Sequence, residues 1–291
     1  MLFKTRRRLA GAALGAVLCL ALPAAVSCGA NSEDTGKPVV AVTIVPEKTF
    51  VKAVCGDLMD VVTLVPPGNS PENYEPTPDI MARLERASVY FTIGVPVEKA
   101  HILPRVGGVR VVSLQNEVAA VYPDRTFPSG ERDHHIWLSP KRVKVMVAAI
   151  ARELAAIDPE NEKVYGENAA AYAARLDELD GQIKEALDGV KNRRFIAYHP
   201  AFGYLADDYG LSMYALEEEG KEATARHLQD MIDFAKAESI KVVFYQEEID
   251  SRQSEAFAEE IGGKTMRLEP LAADYIDNLK KMAEIMAEVM R

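Results

Sequence analysis

The sequence predicts an α/β fold of two similar lobes joined by one long helix, on three observations. Short runs rich in valine, isoleucine and phenylalanine alternate with amphipathic stretches of helical period over residues 39–112. The same alternation returns over residues 194–268, and a long apolar stripe at helical spacing lies between the two stretches. Continuous apolar runs suit strands buried on both faces, and alternation with helices makes their sheets parallel.

In order, residues 39–45 form the first expected strand, closed by Pro46. Phe50, Val51 and Val54 then share a helical face, and residues 61–65 make a strand that ends at Pro66-Pro67-Gly68. Ile80, Leu84 and Ala87 mark a second helix, residues 89–93 a third strand and residues 109–112 a fourth. Asp158-Pro159-Glu160 offers an N-cap, a first-turn proline and an early acid. Tyr172, Leu176, Leu179, Ile183 and Leu187 follow at helical spacing as far as Gly189. A helix from residue 159 to 188 would run about 45 Å, long enough to cross a domain, although its period is equally met by a solvated helix packed on one lobe. Strands at 194–198, 212–215, 242–245 and 265–268 complete the second half. The expected organisation is an N-terminal lobe at 39–157, a connecting helix at 158–190 and a C-terminal lobe at 191–291.

Lys4, Arg6, Arg7 and Arg8 precede an apolar run over residues 9–26, the layout of a secretory signal at 1–27. Ala25-Val26-Ser27-Cys28-Gly29 sets small residues before a cysteine as in a bacterial lipoprotein signal, with Ala25 where leucine is commonest. Cys28 would then be the lipidated N-terminus and residues 28–38 a polar tether, giving a membrane-anchored protein. An uncleaved anchor is the alternative, and either reading places the remainder outside the cytoplasm, in the periplasm or at the cell surface. With 34 basic and 44 acidic residues the net charge is −10, and loss of the four leader cations takes it to −14. Such a surface argues against nucleic acid and accommodates a cation. After the leader, Cys55 remains alone beside Cys28; it reads as a small buried residue, and no disulfide framework or cysteine metal cluster is available.

Asp133-His134-His135-Ile136-Trp137-Leu138-Ser139-Pro140 puts two of the five histidines beside the one tryptophan. Neutral imidazole is a good ligand for a divalent transition metal, and a neighbouring carboxylate fixes its tautomer. Ligands of open parallel sheets bind beyond the carboxyl ends of strands. His199 and Glu269 follow second-lobe strands directly, Glu72 follows the strand at 61–65, and His135 lies in the tryptophan loop. A cleft between lobes could bring these four onto one ion. Glu75 competes with Glu72 and His134 with His135. Without a metal, the same residues are a solvated turn, polar strand ends and an exposed acid. His101 and His227 read as surface residues, and Asp207-Asp208 and Glu217-Glu218-Glu219 as solvated acidic clusters.

Four ordered segments carry a family resemblance: Pro67-Gly68 through Pro78; residues 133–140; His199-Pro200-Ala201-Phe202-Gly203-Tyr204 with Tyr209-Gly210-Leu211; and Leu268-Glu269-Pro270-Leu271. They resemble signature segments of the zinc- and manganese-binding solute-binding lipoproteins of bacterial ABC importers, over the chain from about Val39 onward. Gly220-Lys221-Glu222-Ala223-Thr224 is similar to the family's glycine, acid and small-hydroxyl turn. The long helix resembles the one that joins the family's lobes and limits their hinge motion. The resemblance implies metal ligands at His135, His199 and Glu269, and at Glu72 where the family usually has histidine, with Asp133 an outer partner and not a ligand. It implies zinc as the transported ion, because manganese binders tend to carry glutamate at the position of His199; manganese is second. It also implies a permease as partner and a monomeric carrier. The long histidine-rich loop of some zinc members is missing.

The expected function is therefore an extracytoplasmic substrate-binding protein, not an enzyme, that captures a divalent ion and delivers it to a membrane permease for import. A manganese- or iron-binding importer component is one alternative. A surface adhesin with a vestigial site is another, and a zinc hydrolase with three ligands and Glu72 or Glu247 as base is the third.

Overall fold

The computed structural model describes residues 36–217, 221, 223–249 and 252–291. The expected leader, Cys28 and the tether as far as Thr35 lie outside the described residues, as do Glu218, Glu219, Gly220 and Glu222. Strands β1 (Val39–Val42), β2 (Asp60–Thr63), β3 (Val89–Thr92) and β4 (Arg110–Ser113) form one parallel sheet in the order β2-β1-β3-β4. Strands β5 (Arg194–Ala197), β6 (Ser212–Ala215), β7 (Val242–Tyr245) and β8 (Lys264–Arg267) repeat the plan as β6-β5-β7-β8. In each sheet the chain reverses its direction of travel across the first strand, so a ligand crevice lies beyond the ends of β1 and β5. Val40, Ala41 and Val42, and all of β3, are buried on both faces, as their unbroken apolar runs require.

The first strand is shorter than expected. Helix α1 (Val45–Cys55) already begins at Val45, and Pro46 sits in its first turn, where a missing N–H costs nothing. Glu47 in that turn accepts from the N–H groups of Thr43 and Ile44, both at 3.0 Å, and so ends the strand by capping the helix. Its inner face is Phe50, Val51, Val54 and Cys55, the last a buried thiol as expected. Helix α2 (Pro78–Leu84) is capped by Thr77, whose hydroxyl accepts from Ile80 N–H at 3.4 Å. Helices α3 (Leu114–Ala119) and α4 (Pro140–Ile157) complete the first lobe.

The long helix α5 (Glu162–Asp188) has 27 residues and so runs about 40 Å. It follows a 3-10 turn at Pro159–Asn161, because the Asp158 carboxylate accepts from Asn161 Nδ2 and Tyr165 Oη and caps no backbone N–H. Its buried stripe contains Tyr172, Leu176, Leu179, Ile183 and Leu187. Helices α6 (Gly203–Asp208), α7 (Ala225–Ala237), α8 (Arg252–Glu260) and α9 (Tyr275–Val289) belong to the second lobe. Helix α5 packs on α1, α4 and α9, and its Asp180 accepts from Tyr209 Oη at 2.7 Å, so it meets both lobes. Phe50 of α1 meets Tyr275 of α9 edge-on at 4.9 Å and Tyr172 of α5 at 6.4 Å. One apolar core therefore runs through both lobes, and a smaller one lies on the far face of the second sheet. Among the described residues no helix is long and apolar enough to cross a membrane.

Candidate metal centre

Three of the four expected side chains meet between the sheets. Glu72 comes from the proline-rich loop after β2, where Ser70 Oγ accepts from its N–H at 3.3 Å. His135 opens the 3-10 turn Ile136–Leu138, and His199 lies two residues beyond β5. Both histidines are 3% or less exposed. The two Nε2 atoms are 3.1 Å apart, and Glu72 Oε1 lies 3.9 Å from that of His135 and 3.7 Å from that of His199. Donors about 2.0–2.2 Å from a tetrahedral zinc are separated by about 3.3–3.6 Å, so this triangle nearly matches one face of such a shell.

Each histidine is fixed from behind by a buried carboxylate. His135 Nδ1 lies 2.8 Å from Asp133 Oδ1, which also accepts from the His135 N–H at 2.9 Å. His199 Nδ1 is hydrogen-bonded to Glu217 Oε1. With both Nδ1 atoms donating, both Nε2 atoms carry lone pairs aimed at each other, an arrangement that calls for a cation between them. Burial above all, with the charge of His134 beside it, pushes His135 well below the ordinary histidine value and keeps it neutral. Burial pushes Asp133 up to about 6, so at neutral pH it remains an acceptor. Burial also pushes Glu72 upward, but the hydrogen bond from His134 and the charge of His134 outweigh it and hold the carboxyl at about 2.

His134 takes a different place from His135. Its Nε2 is 2.8 Å from Glu72 Oε1, a hydrogen-bond distance shorter than two donors of one tetrahedral ion would keep. Burial lowers the His134 value, yet the Glu72 bond and the charges of Glu72, Asp133 and Glu98 raise it overall, as suits a donor to a carboxylate. Glu72, His134 and His135 also offer one ligand atom each within 4.8 Å of one another. Phe127 sets its edge against both rings, and Trp137 lies 5.1 Å from the His135 ring, so the wall is aromatic and dry. The indole donates to Pro270 O at 2.8 Å, and Tyr275 Oη donates to Trp137 O at 2.7 Å, which ties the loop to the second lobe. A side chain at Gly203 would place Cβ 2.1 Å from Arg125 Nε and 2.8 Å from Asp133 Oδ2, so it would have to displace the side chains that α6 approaches in this loop.

Glu269 is not brought to the other three. It sits two residues beyond β8, but Arg267 Nη2 holds its carboxylate at 2.7 Å and Arg267 Nη1 holds Glu247 at 2.6 Å. Its side chain is 41% exposed and lines a separate cavity of about 200 Å³ with Glu247, Glu248 and the loop at 65–69. The alternation of a strand carries the cause: residues 267 and 269 project to the same side, and the cation is the nearer partner. The competitor Glu75 is exposed and faces a surface cavity with Thr77 and Arg105. His101 and His227 are half-buried, the latter against Ala215 O at 3.1 Å. Two acids taken as solvated are buried instead. Glu217 is 5% exposed, and the Asp208 side chain, also 5% exposed, binds Ser139, Lys141 and Arg142. The signal for Glu217 is the register Ala197↔Ala215, which sets His199 and Glu217 side by side two residues on. For Asp208 it is the position one helical turn after Tyr204, on the buried face of α6.

Comparison with known proteins matches the chain over residues 40–289 to a family model, the zinc-uptake complex component A, periplasmic. The chain belongs to this family. A relative of this chain is the zinc-binding lipoprotein AdcA of Streptococcus pneumoniae, 29% identical over 262 residues. That match covers 84% of this chain and 52% of AdcA, so the chain spans about half the length of that relative. The high-affinity zinc uptake system protein ZnuA of Bacillus subtilis is 30% identical over 276 residues, covering 87% of this chain and 86% of that protein. A crystal structure of ZnuA superposes with a TM-score of 0.82 at 35% identity, covering 88% of this chain and 100% of that one. The two-lobed fold expected from the sequence is thus that of the zinc-uptake component family.

Proposed function

We propose that the chain is the extracytoplasmic binding component of an ABC importer, taking up zinc between its lobes at Glu72, His135 and His199. The observation that carries this is the pair of Nε2 lone pairs facing each other at 3.1 Å, each backed by a buried carboxylate. The compact triangle of two imidazoles and one carboxylate suits a small tetrahedral ion better than manganese, which prefers more oxygen ligands; the Glu72 oxygen makes manganese second. His134 orients Glu72. Glu269 serves as a fourth donor only where Arg267 gives it up. A membrane permease receives the ion, and lipidation at Cys28 holds the carrier at the membrane, a reading supported by the lipoprotein name of the AdcA relative.

Carriage is favoured over hydrolysis. Three donors leave the open position that a catalytic zinc uses, but Asp133, Glu217 and Glu72 are engaged by His135, His199 and His134 in turn, which leaves none of them free as a general base. The test is competitive titration of the metal-stripped mature chain with zinc and manganese. One zinc should bind tightly, and His199→Ala and Glu72→Ala should each lose more than the roughly 10- to 100-fold typical of an outer partner. Glu269→Ala should lose less than about tenfold. No tight binding of either metal sinks the reading, and a Glu269→Ala loss equal to that of His199→Ala would make Glu269 a full ligand and the three-donor set wrong.

A further inference from the structure

The carboxylate behind His199 stands in an acidic run, and its placement is built into the sheet. Register Ala197↔Ala215 continues past both strands: Leu216 N–H donates to Ala197 O at 3.0 Å, and Glu217 N–H donates to Tyr198 O at 3.0 Å. His199 and Glu217 are thus held level on adjacent extensions of β5 and β6, both nearly buried, with Nδ1 against Oε1. On its other side Glu217 lines a cavity of about 530 Å³ with Pro200, Met213, Lys221 and His227.

We propose that Glu217 is a positioning residue for zinc capture: it accepts the His199 Nδ1 proton, locking the neutral ring in the tautomer that presents a bare Nε2 to the ion. An isolated neutral imidazole can carry its proton on either nitrogen, and a ring protonated at Nε2 must shift that proton before it can bind metal there. The mirror-image role of Asp133 behind His135 means that each lobe arms its own histidine before the ion arrives. The assignment rests on the zinc-binding reading for its consequence, but the tautomer itself does not.

The first measurement is the ¹⁵N shifts of His199 in the metal-free wild-type protein, which should report a proton on Nδ1; a proton on Nε2 overturns the proposal outright. Glu217→Ala should release the tautomer and lower zinc affinity about 10- to 100-fold. Glu217→Gln, whose amide oxygen still accepts, should keep the Nδ1–H tautomer and most of the affinity. Because the truncated site opens on the cavity beside Lys221, millimolar formate should restore binding in Glu217→Ala and leave the wild type unchanged. Unaltered zinc affinity in Glu217→Ala overturns the proposal. A wild type with the Nδ1–H tautomer but no zinc affinity would keep Glu217 as the positioning residue and remove the capture reading instead.

Discussion

Glu98 shows how burial sets chemistry at a single residue. Its carboxylate accepts from Ile93 N–H at 2.9 Å, Gly94 N–H at 2.8 Å and the Thr43 hydroxyl, yet burial outweighs these bonds and pushes it up to about 7. A carboxyl that titrates higher folded than its unfolded value of about 4.3 favours the native state below that value. The advantage shrinks as pH rises and is gone above about 7, a change of about 4 kcal/mol. Urea unfolding of the metal-free protein should therefore show wild type losing stability from pH 5 to pH 8, with Glu98→Gln losing clearly less. Parallel slopes would show that Glu98 does not titrate in this window. His134 and Asp133, also raised, add to the wild-type slope and His135, lowered, opposes it; Glu47 and His134 both feel the Glu98 charge, so the difference between the two proteins reads Glu98 together with its effect on them. At this scale the sequence was partly legible. Strand-end positions pointed to Glu72 and His199 and the tryptophan loop to His135, whereas Arg267 two residues back holds Glu269, and Glu217 hid in an acidic run whose register no composition reveals.

At the scale of elements, the eight strands follow their apolar runs closely, because a strand buried on both faces leaves little choice of residue. The error at β1 has a local cause: Thr43-Ile44-Val45 continues the β-branched composition, but Glu47 and Pro46 begin a helix there. Helix α5 was legible in its stripe, while its start slipped by a turn because Asp158 binds side chains. Leu176 lies midway on that stripe with no exposed surface, in the core that includes side chains of α1, α4 and α9. Leu176→Ala should cost about 2–5 kcal/mol of unfolding free energy. A chemical denaturation curve that moved by less than about 1 kcal/mol would mean that the helix carries little of the load between lobes.

For the whole molecule, the shared core predicts that the two lobes unfold together. Trp137 is the one tryptophan of the chain and is tied to Pro270 and Tyr275, so its fluorescence reports the junction of the two lobes, while far-ultraviolet dichroism reports all the helices. The two signals should trace one transition with one midpoint. A tryptophan signal lost well before the dichroism would show that the lobes are separate cooperative units. A core continuous through both lobes also limits how far they can part around an ion, which suits capture by adjustment of loops more than by wide opening.

The ties of the tryptophan loop carry one more consequence, in time. Pro270 and Tyr275, which fasten Trp137 from both ends, are synthesised long after His134 and His135. With one core shared by both lobes, the first lobe lacks part of its packing, and the loop beneath its histidines lacks both fasteners, until those late segments are in place. The last segments to be made are then the ones that finish the site, and a nascent or truncated polypeptide holds an ion poorly until they arrive. Completion of the chain is thereby coupled to completion of the proposed site.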